Sequence, residues 1–314
     1  MGHTQKTWSV GVDVDELHHY AAIHGLTINT FNAVWLIAIP RFIELFKQLG
    51  VKATFYIVSE DIERFPQVTE ILSQIIQAGH EIASHSHRHL YDLVYVNSEV
   101  QQDEIDRSKA ILESLTQRPV LGFRAPGYHT SSSIYKALQN AGYRYESSMF
   151  PCWPYHLLKT MVIGGQRVIG RKSASIIGDL RMLLAPQIPY YPQLGSVHRK
   201  RMKRMTHDNA LIHYPISVLY GYPLIGTAFT ASPKWLLHGV QQMINRSKHH
   251  LTIEFHGVDL LSFSEDRLPS IFKSQVDLMI PLSRKKDHLN LMLNTLHSWG
   301  KNCTIEALVS DRSL

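Results

Sequence analysis

Short apolar runs alternate with amphipathic segments over the first 150 residues, and this alternation constrains the fold more than any other feature of the chain. The predicted strands cover residues 8–14, 51–58, 81–84 and 120–123, with a further strand beginning at Tyr143. The predicted helices between them cover residues 40–49, 68–78, 98–115 and 133–141. Strands that alternate with helices form a mainly parallel sheet with the helices outside it, so we expect an α/β protein.

The strand and helix signals weaken for about 80 residues after position 150 and then resume. Ser98 followed by Gln101 fits a capping box at the start of the third helix. The later predicted elements are a helix that follows Ser232-Pro233, a strand at 251–255, a last helix that ends at Gly300 and a strand at 303–308. We therefore predict one domain over residues 1–314, with an insert at about 151–230.

Composition excludes several classes of protein. The chain has 314 residues, of which 44% are hydrophobic and 18% are charged, so it is neither disordered nor collagen-like. Its two cysteines exclude a disulfide scaffold. The longest apolar run, residues 33–39, is far shorter than a membrane-spanning helix, and the first residues do not resemble a secretory signal. The expected location is therefore the cytoplasm.

The basic excess of the chain lies in the predicted insert. The formal net charge is +6, and residues 151–230 hold ten Lys and Arg against two acidic residues. Apolar and aromatic residues are interleaved with these charges, which suits a solvated surface loop, an anionic membrane surface or another polyanion. No nucleic-acid-binding motif is present, so we expect no nucleic-acid binding, and the insert is either a solvated surface loop or a peripheral contact with the inner face of an anionic membrane.

Ionisable residues follow four of the predicted strands. They are Asp13 and Asp15, the run 85–89, the run 124–128, and His256 with Asp259. Active residues of a (β/α) barrel lie at the carboxyl ends of its strands, so these groups are expected to meet at one edge.

The residue types in these runs suit metal-assisted hydrolysis. His85 and His89 are four apart and would face the same side of a helical turn, where both imidazoles could bind one divalent metal. A carboxylate from Asp13 or Asp15 could complete the ligand set while the other acted as a base. The donor set suits zinc, and also cobalt, nickel, iron or manganese. Taken singly, each of these features is as easily a coincidence or a helix cap.

At these residues the chain resembles the polysaccharide deacetylase family, also called carbohydrate esterase family 4. The segment Val12-Asp13-Val14-Asp15, the run His85-Ser86-His87-Arg88-His89 and the run Arg124-Ala125-Pro126-Gly127-Tyr128 correspond to three of its motifs. The resemblance implies a distorted, seven-stranded (β/α) barrel with a metal-dependent amidase site.

The same resemblance implies a role for each matched residue. Asp13 would be the base, and one divalent metal, zinc by expectation, would be held by Asp15, His85 and His89. Arg124 would hold the base, and a backbone N–H near Gly127 or Tyr128 would bind the oxyanion. His256 would be the general acid.

Two features depart from the family pattern. The aspartate that usually orients the acid histidine is replaced by the sequence Tyr145-Glu146-Ser147-Ser148, so either Glu146 or Asp259 would have to take that task. The basic insert has no counterpart in the compact polysaccharide enzymes and is similar to the subgroup that acts on lipid-linked amino sugars, including deformylases. The expected activity is removal of an N-acetyl or N-formyl group from an amino sugar in a glycan or on a polyprenyl phosphate. The alternative is a non-catalytic glycolipid- or membrane-binding protein on the same fold.

Overall fold

The computed structural model describes residues 5–23, 25–28, 32–168, 179–193, 195–201 and 210–311. The strands are β1 Thr7–Val14, β2 Thr54–Ile57, β3 Glu81–Ser84, β4 Gly122–Phe123, β5 Tyr145–Glu146, β6 Pro192–Gln193, β7 Ser196–Lys200, β8 Ile212–His213, β9 Val218–Leu219, β10 Tyr222–Pro223, β11 Leu251–His256 and β12 Lys301–Asn302. The helices are α1 Leu17–Ile23, α2 Ile39–Leu49, α3 Ser59–Arg64, α4 Thr69–Gln77, α5 Ser98–Thr116, α6 Ser132–Asn140, α7 Trp153–Val168, α8 Gly226–Ala231, α9 Lys234–Arg246, α10 Leu282–Trp299 and α11 Ile305–Ser310.

Seven strands form a parallel sheet in the order β11-β1-β2-β3-β4-β5-β8, and β12 adds a short parallel pairing to β1. The sheet curls into a half-barrel with helices on its outer side, which confirms the predicted distorted (β/α) barrel of seven strands. The hairpins β6–β7 and β9–β10 are small and antiparallel. Both belong to the segment 151–230, which also supplies β8 to the main sheet.

β1 lies between β11 and β2 in the half-barrel and is buried on both faces. Trp8, Val10 and Val12 point into the apolar layer between sheet and helices. Gly11 points into the barrel, where a Cβ atom would lie 2.6 Å from the Tyr56 ring and 3.1 Å from the Arg124 guanidinium. The absence of a side chain at position 11 therefore makes room for a buried cation under the active edge.

Two predicted local features are wrong. Asn97, not Ser98, is the N-cap of α5, because its Oδ1 accepts the backbone N–H of Val100. Residues 303–308 do not form a strand: Thr304 caps the helix α11, whose Ile305 and Val309 are buried one turn apart. The strand pairing at this end of the chain is confined to β12.

The first predicted helices and strands are otherwise close to those observed, although the strands are shorter. β2 covers four residues rather than eight, because the amides before it bond to side chains. The N–H of Lys52 donates to Asn302 Oδ1 and the N–H of Ala53 to His80 Nδ1. Those donors are therefore not available to a sheet ladder.

Half of the basic run at residues 199–204 of the predicted insert lies in the described part of the chain. Arg199 and Lys200 are exposed at the end of β7, and Arg201 follows them. The rest of the run, residues 202–204, and the pair 171–172 lie outside the described residues. In the described parts of the chain, no helix combines the length and apolarity needed to cross a bilayer.

Candidate active site

The carboxyl end of β1 places Asp13 between two neighbouring strands. Asp13 pairs in register with His256 of β11 on one side and with Tyr56 of β2 on the other. Its carboxylate is buried, and Oδ1 accepts a hydrogen bond from Arg124 Nη1 at 2.5 Å. The second oxygen, Oδ2, lies 3.9 Å from His85 Nε2. One carboxylate oxygen is thus fixed by a cation, and the other faces the histidine cluster.

Arg124 follows β4 and is completely buried. Its Nε donates to the carbonyl of Ser147 at 2.9 Å, its Nη2 donates to Ser147 Oγ at 3.0 Å, and its guanidinium lies 4.0 Å from the centre of the Tyr56 ring. Burial acts to lower the pKa of Arg124, but the Asp13 carboxylate outweighs it and holds this pKa above the ordinary value. The group is therefore a permanent cation that orients Asp13.

Asp15, His85 and His89 converge on a second point at the same edge. Asp15 Oδ1 lies 3.1 Å from His85 Nε2 and 3.3 Å from His89 Nε2, and all three side chains are buried. The run 85–89 is not the expected helical turn. Ser86 and His89 adopt positive φ angles of 64° and 56°, so a tight loop after β3 turns both imidazoles to the same side.

These three groups fit a divalent metal. Asp15 Oδ1 and His89 Nε2 have no hydrogen-bond partner among the described residues, although both atoms are buried. Ligands of a tetrahedral zinc ion with bonds of about 2.0 Å lie about 3.3 Å apart, which matches the observed separations. His85 Nδ1 is 2.7 Å from the carbonyl of Arg124, so it donates there and leaves the Nε2 lone pair for a metal.

The protonation preferences of Asp15 and His89 also suit metal ligands. For His85, burial acts to lower the pKa, but the carboxylates of Asp15 and Asp13 outweigh it and raise this pKa. Burial acts to raise the pKa of Asp15, but His89 and His85 outweigh it and hold this pKa well below its usual range. Burial lowers the pKa of His89 to about 4, so its imidazole is neutral at pH 7. An ionised carboxylate and a neutral imidazole are the forms that bind metal.

His256 faces Asp13 from the end of β11. Its imidazole is about one-fifth exposed, and Nε2 lies 3.5 Å from both Glu254 Oε1 and the Tyr128 hydroxyl. Polar atoms of Asp13, Glu254 and His256 lie within 4.8 Å of one another. Burial acts to lower the pKa of His256, but Glu254 and then Asp13 raise it to about 9. His256 is therefore protonated at neutral pH.

The two carboxylates considered for orienting His256 have different surroundings. Asp259 Oδ2 accepts the backbone N–H of His256 at 2.9 Å, so it holds the main chain at the start of the turn that follows β11. Glu146 lies 2.5 Å from His213 Nδ1 and accepts the backbone N–H of Ser148. The carboxylate that reaches the imidazole of His256 is instead Glu254.

Sequence reasoning missed Glu254, although a signal was present. Glu254 and His256 are two apart on a strand, and residues two apart point to the same face of a sheet. Glu254 is fully buried, and burial raises its pKa to about 7. It also accepts the Tyr128 hydroxyl at 2.7 Å, which links the acid histidine to the loop after β4.

The loop after β4 lies beside the same space. Gly127 and Tyr128 adopt φ angles of 63° and 69°, and a Cβ atom on Gly127 would lie 3.1 Å from the Tyr91 ring. The N–H of Tyr128 makes a long hydrogen bond of 3.3 Å to the carbonyl of Ala125. Glycine at position 127 therefore permits both the left-handed turn and a close approach to the cavity.

A cavity of about 540 Å³ opens in front of these groups. Its polar end is lined by Asp13, Asp15, His85 and His256, with Gly127 and Tyr128 beside them. Its other walls are mainly apolar or aromatic, with Thr227 and Asp277 as polar members, and include Ile23, Tyr91, Pro154, Tyr155, Leu158, Pro223, Ile225 and Val258. Lys159 of α7 also lines it, and burial lowers the pKa of this lysine to about 8, so it remains mostly cationic at pH 7.

Comparison with known proteins agrees with the observed fold. The family model described as "Polysaccharide deacetylase" matches residues 25–146. A peptidoglycan-N-acetylglucosamine deacetylase of Bacillus cereus is 30% identical over 105 residues, which cover 33% of this chain and 47% of the relative. A peptidoglycan deacetylase of Helicobacter pylori is 27% identical over 113 residues, which cover 36% of this chain and 37% of the relative. The aligned part thus spans less than half of either relative.

Solved structures extend the likeness of fold to nearly the whole chain. A protein described as a probable polysaccharide deacetylase from Pseudomonas aeruginosa PAO1 superposes with a TM-score of 0.55 at 13% identity, covering 97% of this chain and 89% of that one. The Puue allantoinase superposes with a TM-score of 0.59 at 12% identity, covering 98% and 90%. At 12–13% identity, these likenesses concern the fold alone. The match of the family model to residues 25–146 agrees with the resemblance that the motifs predicted.

Proposed function

We propose that the chain is a metal-dependent hydrolase that removes an N-acyl group from an amino sugar. The observation that carries the proposal is one cavity in which Asp15, His85 and His89 converge beside the Asp13–Arg124 pair and opposite a protonated His256. The match of residues 25–146 to the polysaccharide deacetylase model supports amide hydrolysis on a carbohydrate. The choice of zinc is supported by the donor set and the separations of the three ligand atoms.

Each residue of the site has a separate role in amide hydrolysis. A divalent metal held by Asp15, His85 and His89 would supply Lewis acidity toward the amide carbonyl and toward water. Asp13, oriented by Arg124, accepts a proton from the water that attacks the carbonyl carbon. A backbone N–H at Gly127 or Tyr128 donates to the oxygen as it gains negative charge.

His256 completes the reaction. When the C–N bond breaks, His256 gives its proton to the departing nitrogen, which leaves as the amine of the sugar while the acyl group leaves as a carboxylic acid. Glu254 favours the charged imidazolium before this transfer. The products balance the addition of one water molecule across the amide bond.

We further propose that the amino sugar is carried on a polyprenyl phosphate. The cavity is mostly apolar beyond its catalytic end, whereas a groove for a long glycan would present many polar groups. Lys159 supplies a cation within reach of a phosphate. Trp153, Leu157 and Met161 of α7 are exposed, and exposed basic residues follow in β7, which supports contact with an anionic membrane.

A substrate panel tests both levels of this proposal. Zinc-loaded protein is given N-acetyl and N-formyl amino sugars, either free, as oligosaccharides, or on undecaprenyl phosphate in phosphatidylglycerol vesicles, and release of the free amine is followed by mass spectrometry. We expect the lipid-linked substrate to react at least about tenfold faster, since one well-placed contact of about 1.4 kcal/mol gives that factor. Lys159→Gln should reduce this advantage.

The matched control is Lys47→Gln. Lys47 is exposed near the end of α2. This helix leads into the amino end of β2, whereas the site lies at the carboxyl ends of the strands, which is the opposite edge of the sheet. Equal rates on free and lipid-linked sugars would contradict the lipid-linked substrate. No hydrolysis of any member by metal-loaded protein would contradict the hydrolase itself and leave the binding-protein alternative.

A further inference from the structure

We propose that the chain binds a second divalent metal ion through His18, His19 and Asp61, next to the first site but outside the substrate cavity. This proposal stands on its own residues and does not depend on the reaction proposed above. Two neighbouring residues of α1 supply the imidazoles, and α3 supplies the carboxylate. We refer to these three residues as the second cluster.

The ligand atoms of the second cluster are arranged like those of the first. Asp61 Oδ1 lies 3.2 Å from His19 Nε2 and 3.4 Å from His18 Nε2. These separations again match the distance of about 3.3 Å between ligands of a tetrahedral zinc ion. Asp61 is fully buried, and the side chains of His18 and His19 are 12% and 7% exposed.

The polar atoms of the second cluster are poorly satisfied without an ion. His19 Nε2 is within hydrogen-bond distance of Asp61 Oδ1, but within the described part of the chain both ring nitrogens of His18 and the second oxygen of Asp61 have no hydrogen-bond partner. Leaving such buried groups unpaired is destabilising. The His19–Asp61 hydrogen bond gives a partner to one imidazole only. A bound cation would give a partner to both imidazoles and to the carboxylate.

The position of the second cluster indicates what the ion would do. The ring centre of His19 lies 4.7 Å from that of His89, and none of the three residues lines the substrate cavity. An ion here would tie α1, which follows Asp15, to α3, whose Ser59 Oγ lies 2.9 Å from His87 Nδ1 in the loop of the first site. Its role would be to position the metal ligand His89 rather than to touch substrate.

Metal stoichiometry tests this proposal directly. Protein reconstituted with zinc and dialysed to remove loose metal is analysed by elemental mass spectrometry. We expect two zinc ions per wild-type chain and one per chain of the variant His18→Gln/His19→Gln. The variant His249→Gln, altered at an exposed histidine, controls for surface binding and should keep two.

The outcomes separate this proposal from that of the hydrolase site. Suppose that wild-type protein binds one zinc ion per chain, which is kept by His18→Gln/His19→Gln and lost from His85→Ala/His89→Ala. That result would overturn the second site alone. If the single zinc ion is instead lost from His18→Gln/His19→Gln and kept by His85→Ala/His89→Ala, the result would support the second site and contradict the first. If the double variant of the second cluster folds poorly by circular dichroism, His18→Gln alone replaces it, and unchanged retention of two zinc ions in that variant would also overturn the proposal.

Discussion

Asp13→Asn should retain its metal and lose ~10²–10⁴-fold in kcat, the usual cost of losing a general base. Asparagine has nearly the same shape as aspartate and keeps an oxygen that can accept the hydrogen bond from Arg124 Nη1. It cannot take a proton from water. The change therefore removes the base while leaving Asp15, His85 and His89 with their own contacts.

The measurement pairs kcat for amine release with metal content in the same sample. Wild-type protein and Lys47→Gln serve as references, because the exposed Lys47 lies away from the site. Metal content equal to that of wild type, together with the predicted loss of kcat, would assign the base to Asp13. Full activity in Asp13→Asn would remove Asp13 from that role, and loss of metal would make it a ligand.

The second large effect concerns the pH dependence of the acid step. His256 must carry a proton in order to protonate the leaving amine. We therefore expect kcat to stay constant as the pH approaches 9 and to fall as the pH rises through the pKa of His256, which is about 9. His256→Gln should reduce kcat by ~10²–10⁴-fold and remove this alkaline limb. Metal content should not change, because His256 is not among the proposed ligands.

Glu254→Gln separates a positioning role from a merely structural one. Glu254 is the largest favourable influence on the charged form of His256, so its neutralisation should lower the pKa of His256. The alkaline limb of the kcat profile should then move to lower pH, while the activity at its plateau changes less. A limb that stays near pH 9 in Glu254→Gln would show that another group sets the protonation of His256.

The sequence predicted the sheet and its active edge because both depend on local patterns. Buried strands read as short apolar runs, and the residues after them fall at one edge of a parallel sheet. The sequence alone therefore predicts that Asp13, Asp15 and His256 lie close together. The error at residues 303–308 arose because Ile305 and Val309 fit a helical spacing that a short apolar run does not distinguish from a strand.

Features that depend on long-range packing could not be predicted. The convergence of His85 and His89 arises from a loop with two positive φ angles rather than from a helical turn. Glu146 was considered as a partner of His256, but its partner His213 lies on β8, within the segment whose pattern was weakest. The second cluster joins residues 42 positions apart, and nothing in the local sequence relates Asp61 to His19.

The most direct test of the hydrolase site is the metal content of the wild-type protein beside His85→Ala/His89→Ala, measured by elemental mass spectrometry after reconstitution with zinc. The proposed ligand set predicts that the double variant loses one zinc ion per chain, together with all measurable amine release, while its fold by circular dichroism is retained. Equal metal content in a folded double variant, or wild-type protein that binds no metal at all, would contradict the assignment of Asp15, His85 and His89 as the metal site.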